Sequence, residues 1–398
     1  MPVNFQQALQ QIREMGSQAF QQQERLQELR DQADMLLLQF ATQLDTLEQL
    51  VLRAVESNPS LRCALPFTEV LNLTFPEPPL ESGFTLLAAD GSQVNPDRHA
   101  MVEFGAINVG AIRMKPGQGQ PPEELVQSKM LFHNDLFTAS GGLLTDDLVA
   151  LKRDLAERQV LADLARNEQG LVLALTDGPL ELFREPKGMP EFEQELERYQ
   201  NVLENLADLG VGTAGYVDRP RGDLVVRMLE LVLLERRGQI NKAGEERPLL
   251  GVYDINLFRL LLKPGERSAI FGIRSGSSKS FRGRLALYFF YLNSGREGHP
   301  HLSRVEIPRW VAENERLVNL LHACLVIQAH HLGNSPYPYI LHRAHEIAVI
   351  TWDERDQLEN MIAAELRRQG VAVDGRSNKQ NAKDSAGDHS RSKPTRMR

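Results

Sequence analysis

Residues 83–94, GFTLLAADGSQV, run largely apolar and then break at Asp90-Gly91. Residues 171–180, LVLALTDGPL, repeat the arrangement and break at Asp177-Gly178. A short apolar run bounded by turn residues reads as a buried strand. Each strand therefore delivers a carboxylate at its C-terminal end, followed by a glycine that permits a sharp turn. Ligand and metal sites in α/β sheets gather at such strand ends. Asp-Gly is also a common turn dipeptide, so either segment alone reads as a plain turn. Its recurrence at two strand ends points to a paired site.

Working outward, MVEFGAINVGAIRM (101–114) reads as a further strand or pair of strands, and KPGQGQPP (115–122) as a loop. Helical spacing covers 143–168. Helical patterns at 191–209 and 222–238 flank a strand at TAGYVDR (213–219). YDINLFRLLL (253–262), RLALYFFYL (284–292) and SRVEIPRW (303–310) supply strand or buried-helix material. A helix over about 311–331 precedes a loop, GNSPYPYILHRAHEIAVIT (333–351). Strands alternating with helices predict an α/β fold.

The two ends differ from this middle. Up to about residue 57, apolar positions such as Leu26, Leu29, Met35, Leu36, Phe40, Leu44 and Leu47 recur at three- and four-residue steps. This is an amphipathic helical arm, either partner-binding or dimerising, or packed on its own domain. From about 370 the chain is rich in Lys, Arg, Ser, Asp and Asn and lacks aromatics. It is expected to be disordered, either a basic arm that touches nucleic acid or a solubilising tail. The expected division is a helical arm over 1–60, an α/β domain over 61–368 and a tail over 369–398.

The 398 residues are 42% hydrophobic and 25% charged, ordinary for a soluble globular chain. No apolar run reaches the roughly 18–20 residues of a membrane helix. The start, MPVNFQQALQQ, lacks the basic and apolar regions of a secretory signal, so a cytoplasmic location is expected. Cys63 and Cys324 read as two reduced thiols. A formal net charge of −8, 45 basic against 53 acidic residues, argues against a protein that simply coats DNA. It leaves open an enzyme that holds metal ions with its acids. No GxxxxGK[ST] loop or GxSxG elbow is present, which excludes P-loop ATPases and elbow-type serine hydrolases.

A third carboxylate is Glu157. A helix starting near Asp146 or Asp147 puts Arg153 and Glu157 on one side, as a surface ion pair or as an inward-facing acid. Histidines concentrate late, and His330 and His331 read as a helix end. His345, by spacing alone, reads as a core or capping histidine. Asp, Glu, Asp and His together suit Mg²⁺ or Mn²⁺ rather than zinc. Two such ions can clamp the attacking water and the leaving 3′ oxygen of a phosphodiester.

Six segments in order over about 84–352 resemble the NurA family of nucleases. They are AADGSQ (88–93), Arg153 with Glu157 four residues on, ALTDGPL, GYVDRPR (215–221), VEIPRW (305–310) and YPYILHRAHEIA (337–348). The twenty-residue step from Glu157 to Asp177 fits the family pattern. The resemblance implies an RNase H-like mixed sheet flanked by helices and a two-metal centre preferring Mn²⁺, with Mg²⁺ as substitute. It implies 5′→3′ exonuclease action and endonuclease action on single strands. It also implies a homodimer that works with the hexameric DNA translocase HerA in resecting double-strand breaks before homologous recombination. Carried over, Asp90, Glu157, Asp177 and His345 match metal positions. Tyr337 matches a tyrosine near the site, or is a packing aromatic. Arg153, Arg219 and Arg221 are candidate DNA contacts by charge and position alone, against the reading of solvated surface arginines. Two other readings compete: a catalytically silent NurA-like scaffold that regulates a translocase, and an actin-like ATP-binding protein. The second lacks a second glycine-rich phosphate loop.

Overall fold

The structure, a computed structural model, describes residues 3–182, 190–333 and 335–373. The tail expected over 369–398 lies outside these residues from 374 onward.

The chain opens with helices α1 (Phe5–Phe40) and α2 (Leu44–Ser57) and short strands β1 (Cys63–Pro66) and β2 (Thr74–Phe75). Next come β3 (Phe84–Val94), β4 (Gly105–Met114), β5 (Glu123–Leu131), α3 (Asp146–Ala165), β6 (Leu171–Asp177) and α4 (Pro190–Asp208). They are followed by β7 (Gly212–Asp218), α5 (Leu224–Arg236), α6 (Asp254–Leu261), β8 (Arg267–Ser268), β9 (Phe271–Arg274), β10 (Leu287–Asn293) and β11 (Leu302–Pro308). Helices α7 (Arg309–Ala312), α8 (Glu315–His330), α9 (Tyr339–Ala348) and α10 (Trp352–Arg368) come last.

Two compact units share these elements. One comprises the described residues of Gly83–Thr176, Arg184–Val211 and Ile340–Arg398. In it β3, β4 and β5 form an antiparallel meander, and β6 lies parallel to β3 on its other edge. Helix α3 makes the crossover between meander and β6, packing on β3, β4 and α4. A three-strand meander, a helix and a parallel fourth strand beside the first is the order expected of an RNase H-like core. The first six residues of β3 are buried, as an apolar run covered on both faces should be. Thr145 caps α3 by accepting from the Leu148 amide (3.3 Å), and Asp146 and Asp147 complement the positive end of its dipole. Strand β5 has no assignment in the sequence reading, because its residues up to Lys129 are exposed and show no apolar alternation. Ladder bonds to β4 hold it, and its charged residues suit a sheet edge.

The other unit comprises the described residues of Met1–Ser82, Asp177–Phe183 and Gly212–Tyr339. Its strands run in the order β1-β9-β10-β11-β7, each antiparallel to the next, with β8 bridging β10 and β2. Phe258 stacks on Tyr291 with ring centres 4.7 Å apart, and Phe271 and Phe289 pack beside them. The ambiguous YDINLFRLLL segment forms helix α6. Its first residue, Asp254, is buried and accepts from the Val225 and Val226 amides at the start of α5 and from the Tyr291 hydroxyl. Burial pushes its carboxyl up to about 6, and those three hydrogen bonds oppose the shift.

Only the C-terminal part of the N-terminal helix packs on the fold. In α1, Ala33, Leu36, Leu37 and Phe40 are buried, whereas Phe5, Leu9, Ile12, Met15 and Phe20 are exposed. Cys63 and Cys324 are free and buried, and burial pushes both thiols up to about 12. Among the described residues no helix is long and apolar enough to cross a membrane. The loop expected over 333–351 is a correction. From Tyr339 it forms α9, because Ile340, Leu341, Ala344 and Ala348 make a buried stripe at three- and four-residue steps. The prolines that suggested a loop, Pro336 and Pro338, stand just ahead of the first turn, where proline does no harm.

Candidate active site

Side chains alternate across a strand, so Asp90 and Ser92 share one face of β3 with Gly110 and Asn108, their partners on β4. Helix α9 lies on this face. Gly110 stands directly across from Asp90, and a Cβ there would come within 2.5 Å of Ile347 Cγ1, 2.7 Å of the Ala344 oxygen and 2.8 Å of the Ala348 nitrogen. Only a glycine lets the helix backbone settle so closely on the strand. The Ala348 carbonyl at the end of α9 accepts from Ser92 Oγ (2.5 Å) and Asn108 Nδ2 (2.9 Å). Ser92 Oγ accepts in turn from the Ile350 amide (3.0 Å), and Ser128 donates to Asn108 Oδ1 (2.6 Å). With that end pinned, His345 one turn earlier reaches Asp90, Nδ1 to Oδ2, at 2.6 Å.

The spacing-based reading of His345 as a core or capping residue is therefore corrected. The buried stripe of α9 runs through 340, 341, 344 and 348, and His345 lies beside it with its side chain 61% exposed. The Asp90 side chain is 16% exposed.

The opposite face of β3 meets α3. A Cβ on Gly91 would lie 2.6 Å from Arg153 Cγ and 2.8 Å from Glu157 Oε1. Gln93 Nε2 donates to the Asp146 carbonyl at the start of that helix (3.4 Å). Glu157 is 5% exposed. Arg153 Nε lies 3.4 Å from its Oε1 and also pairs with Asp154 at 2.7 Å. The expected i,i+4 pair is present, then, as a buried contact rather than a surface one. Burial foremost, then Asp154 and Asp90, pushes the Glu157 carboxyl well above the usual carboxylate range, against the opposing pull of Arg153 and Arg158. Asp90 with His345 on one face of β3 and Glu157 with Arg153 on the other thus belong to one unit, and the Asp90 charge is near enough to raise the Glu157 carboxyl.

Gly110, Ser92, Asn108 and Asp154 are absent from the sequence-derived candidates. Gly110 carried a signal, since a glycine inside a strand pattern marks the close approach of another backbone. The other three are single polar residues with no pattern of their own.

The remaining candidates belong to the other unit or end the strand that leads into it. Ala89 and Thr176 are the last register pair of the parallel β3 and β6 strands. Asp90 and Asp177 are the next residues along, and Asp177 is exposed. Gly178 takes φ +83° and donates its amide to the Tyr216 carbonyl (2.8 Å). Gly215 makes room for this turn, because a Cβ there would stand 2.5 Å from the Gly178 oxygen. Buried Glu306 holds the turn's far end, accepting from the Leu180 (2.9 Å) and Glu181 (3.2 Å) amides and from Arg304 (2.8 Å). Tyr337 packs edge-on against Tyr216, ring centres 5.6 Å apart at 87°. Arg219 and Arg221 are exposed, and Arg219 holds φ +42°, uncommon outside glycine.

Carboxylate oxygens and an imidazole are donor types that suit a hard divalent ion. Among the described residues no three His, Cys, Asp or Glu side chains are already grouped as a metal cage. Asp90 and Glu157 are instead engaged by His345 and Arg153.

No curated protein matches the chain. Among solved structures, the NurA nuclease from Sulfolobus solfataricus aligns over 84% of this chain and 96% of its own, at 13% identity and TM-score 0.42. A NurA structure with manganese aligns over 80% and 97%, at 13% identity and TM-score 0.38. The catalytic domain of human Endonuclease V aligns over 80% and 98%, at 13% identity and TM-score 0.35. The NurA domain matches residues 84–350, a span that contains Asp90, Glu157, Asp177 and His345 and well over half of the 398 residues. The chain belongs to the NurA domain family.

Proposed function

We propose that the chain is a divalent-metal-dependent deoxyribonuclease that hydrolyses phosphodiester bonds at DNA ends. The observation that carries this reading is the Asp90–His345 contact beside buried Glu157, in a chain of the NurA domain family. Asp90, Glu157, Asp177 and His345 are the proposed ligands of one or two Mn²⁺ ions, with Mg²⁺ as substitute. Bound there, such ions would lower the pKa of water and neutralise charge on the phosphate.

The residues around that chemistry have separable tasks. Asp90 engages His345 through Oδ2, which leaves Oδ1 to face an ion. In the tautomer that donates from Nδ1, the exposed His345 presents Nε2 outward as a ligand or proton acceptor. Glu157 sits where water is scarce, so its interaction with a cation is weakly screened. Arg153 is placed to meet a phosphate oxygen as well as Glu157. Tyr337 is proposed as a residue of the catalytic site, and Arg219 and Arg221 as contacts to the DNA backbone.

The finer features proposed with this activity are 5′→3′ exonuclease action, endonuclease action on single strands and work as a homodimer in the cytoplasm. A HerA-type hexameric translocase is the proposed partner in resecting double-strand breaks for recombinational repair. Purified protein incubated with end-labelled DNA and Mn²⁺ tests the activity. Shortened labelled products that vanish with EDTA support it, and intact DNA under both conditions overturns it.

A further inference from the structure

Strand β3 runs on past Asp90 into the wall of an open cavity of about 370 Å³, lined by Gln93, Asn95, Asp97, Asp146, Trp352 and Arg355 among others. This volume falls within the roughly 300–1,000 Å³ of ligand pockets. Its most unusual feature is Trp352, one of two tryptophans in the chain, with 69% of its surface exposed. An indole left in water at the rim of a pocket forgoes a large favourable burial.

The backbone at Trp352 is well anchored. Trp352 is the first residue of α10, whose N-terminus carries a capping box between Thr351 and Glu354. Leu358 and Ile362, farther along the same helix, pack on Val94, Phe104 and Ala106 of the sheet. The Arg355 guanidinium sits 5.6 Å from the indole centre and reaches Asp97 at 3.4 Å. The ring is therefore braced by Arg355 and still largely open to solvent. Gln93, which also lines the cavity, donates through Nε2 to Asn95 (2.7 Å) and to the Asp146 carbonyl (3.4 Å), while its Oε1 is a buried acceptor without a hydrogen-bond partner. A buried acceptor left unmade is costly.

We infer that this cavity is a nucleobase subsite, in which Trp352 stacks on one base of a single DNA strand and the amides of Gln93 and Asn95 face the base edge. It rests on the nuclease reading only for the identity of the strand as DNA. The cavity's chemistry suits a base better than a phosphate, because the two carboxylates of Asp97 and Asp146 outnumber the single lining cation, Arg355, which is paired with Asp97, and carboxylates can accept from ring or exocyclic N–H groups. Its position suits a strand being cleaved. Val94 lies four residues beyond Asp90, about 13 Å along the strand, a distance of a few extended nucleotides. Ser92 joins the two places, since it bonds both the end of α9 below His345 and the amide of Ile350 at the cavity wall.

The test is a fluorescence-anisotropy titration of the full chain with labelled single-stranded oligothymidylate, in EDTA so that nothing is cleaved. Trp352→Ala is expected to weaken binding roughly 5- to 100-fold, as loss of one base-stacking platform does, and Trp352→Phe to restore most of it. The melting temperature of Trp352→Ala should match wild type, because the side chain is mostly exposed. A fully abasic strand should bind wild type and Trp352→Ala equally. Unchanged binding by Trp352→Ala, or an equal loss on the abasic strand, overturns the subsite. Since the titration needs no cleavage, a chain that binds in this way but cuts nothing would sink the nuclease reading and leave the subsite standing. Normal cleavage with a silent Trp352→Ala would do the reverse.

Discussion

Two glycines bring the helices to Asp90, and their neighbours predict different consequences on substitution. The nearest atoms to a Cβ on Gly110 include the backbone oxygen of Ala344 and nitrogen of Ala348. These cannot swing aside without moving α9. Gly110→Ala is therefore expected to cost about 1–3 kcal/mol, as overpacking does, and to carry His345 away from Asp90. Chemical denaturation measures the first effect, and wild-type stability in the variant would contradict the close approach of α9. Around Gly91 the nearest atoms are Arg153 Cγ and Glu157 Oε1, which belong to side chains. Gly91→Ala should consequently cost less stability than Gly110→Ala, since no backbone atom is struck, while displacing Arg153 and Glu157 and lowering cleavage. A folded Gly91→Ala protein with full activity would show that the position of Glu157 is immaterial. At this scale the sequence was readable where chemistry repeats. The repeated Asp-Gly singled out Asp90 and Asp177, but only Asp177 ends its strand in a turn: the break expected at Asp90-Gly91 is corrected, because ladder bonds to β4 carry β3 on to Val94. Ser92 and Asn108 gave no sign that they anchor a helix from more than 200 residues away.

The elements divide by how they are stabilised. Helix α8 was legible because its apolar positions and terminal histidines agree, although the reading over 311–331 ran through the break at Asn314, which caps α8 after the short α7. Strand β5 was not, since cross-strand bonds rather than apolar burial hold it. Nor was α9, whose ten residues follow two prolines and whose buried stripe needs a glycine on another strand to receive it. Within α8, His322 is fully buried, donates from Nε2 to the Gly265 carbonyl at 2.7 Å and has no partner for Nδ1. Burial foremost, with Arg267 adding to it and the Gly265 bond opposing, lowers its pKa from 6.5 to about 4. The folded pKa is depressed, so the unfolded chain takes up the proton first. Stability present above pH 6.5 is then lost as pH falls toward 4, by about 3 kcal/mol at about 1.4 kcal/mol per pH unit. Urea midpoints measured between pH 7 and pH 4 should fall less steeply in His322→Gln than in wild type. Parallel profiles would show that His322 does not set the acid limit.

For the molecule as a whole, composition gave little guidance. A net charge of −8 does not advertise a DNA-binding protein. The order of motifs from Asp90 to His345 was the informative feature, and the NurA domain match spans that order. The N-terminal helix shows the limit of pattern reading: one periodicity covers a half that packs and a half that leaves Phe5, Leu9, Ile12, Met15 and Phe20 in solvent. Periodicity reports which face is apolar, and the rest of the fold decides how much of that face is covered. The central claim is that the acids around β3 hold a divalent ion that drives DNA cleavage. Its most direct test is the rate at which wild type and Asp90→Ala release labelled nucleotides from single-stranded DNA, in Mn²⁺ and in EDTA, with thermal unfolding of both proteins measured alongside. The account predicts Mn²⁺-dependent release by wild type and none by an Asp90→Ala protein that melts at or above the wild-type temperature, because losing this carboxylate relieves repulsion on Glu157. Full Mn²⁺-dependent release by a well-folded Asp90→Ala protein would contradict it.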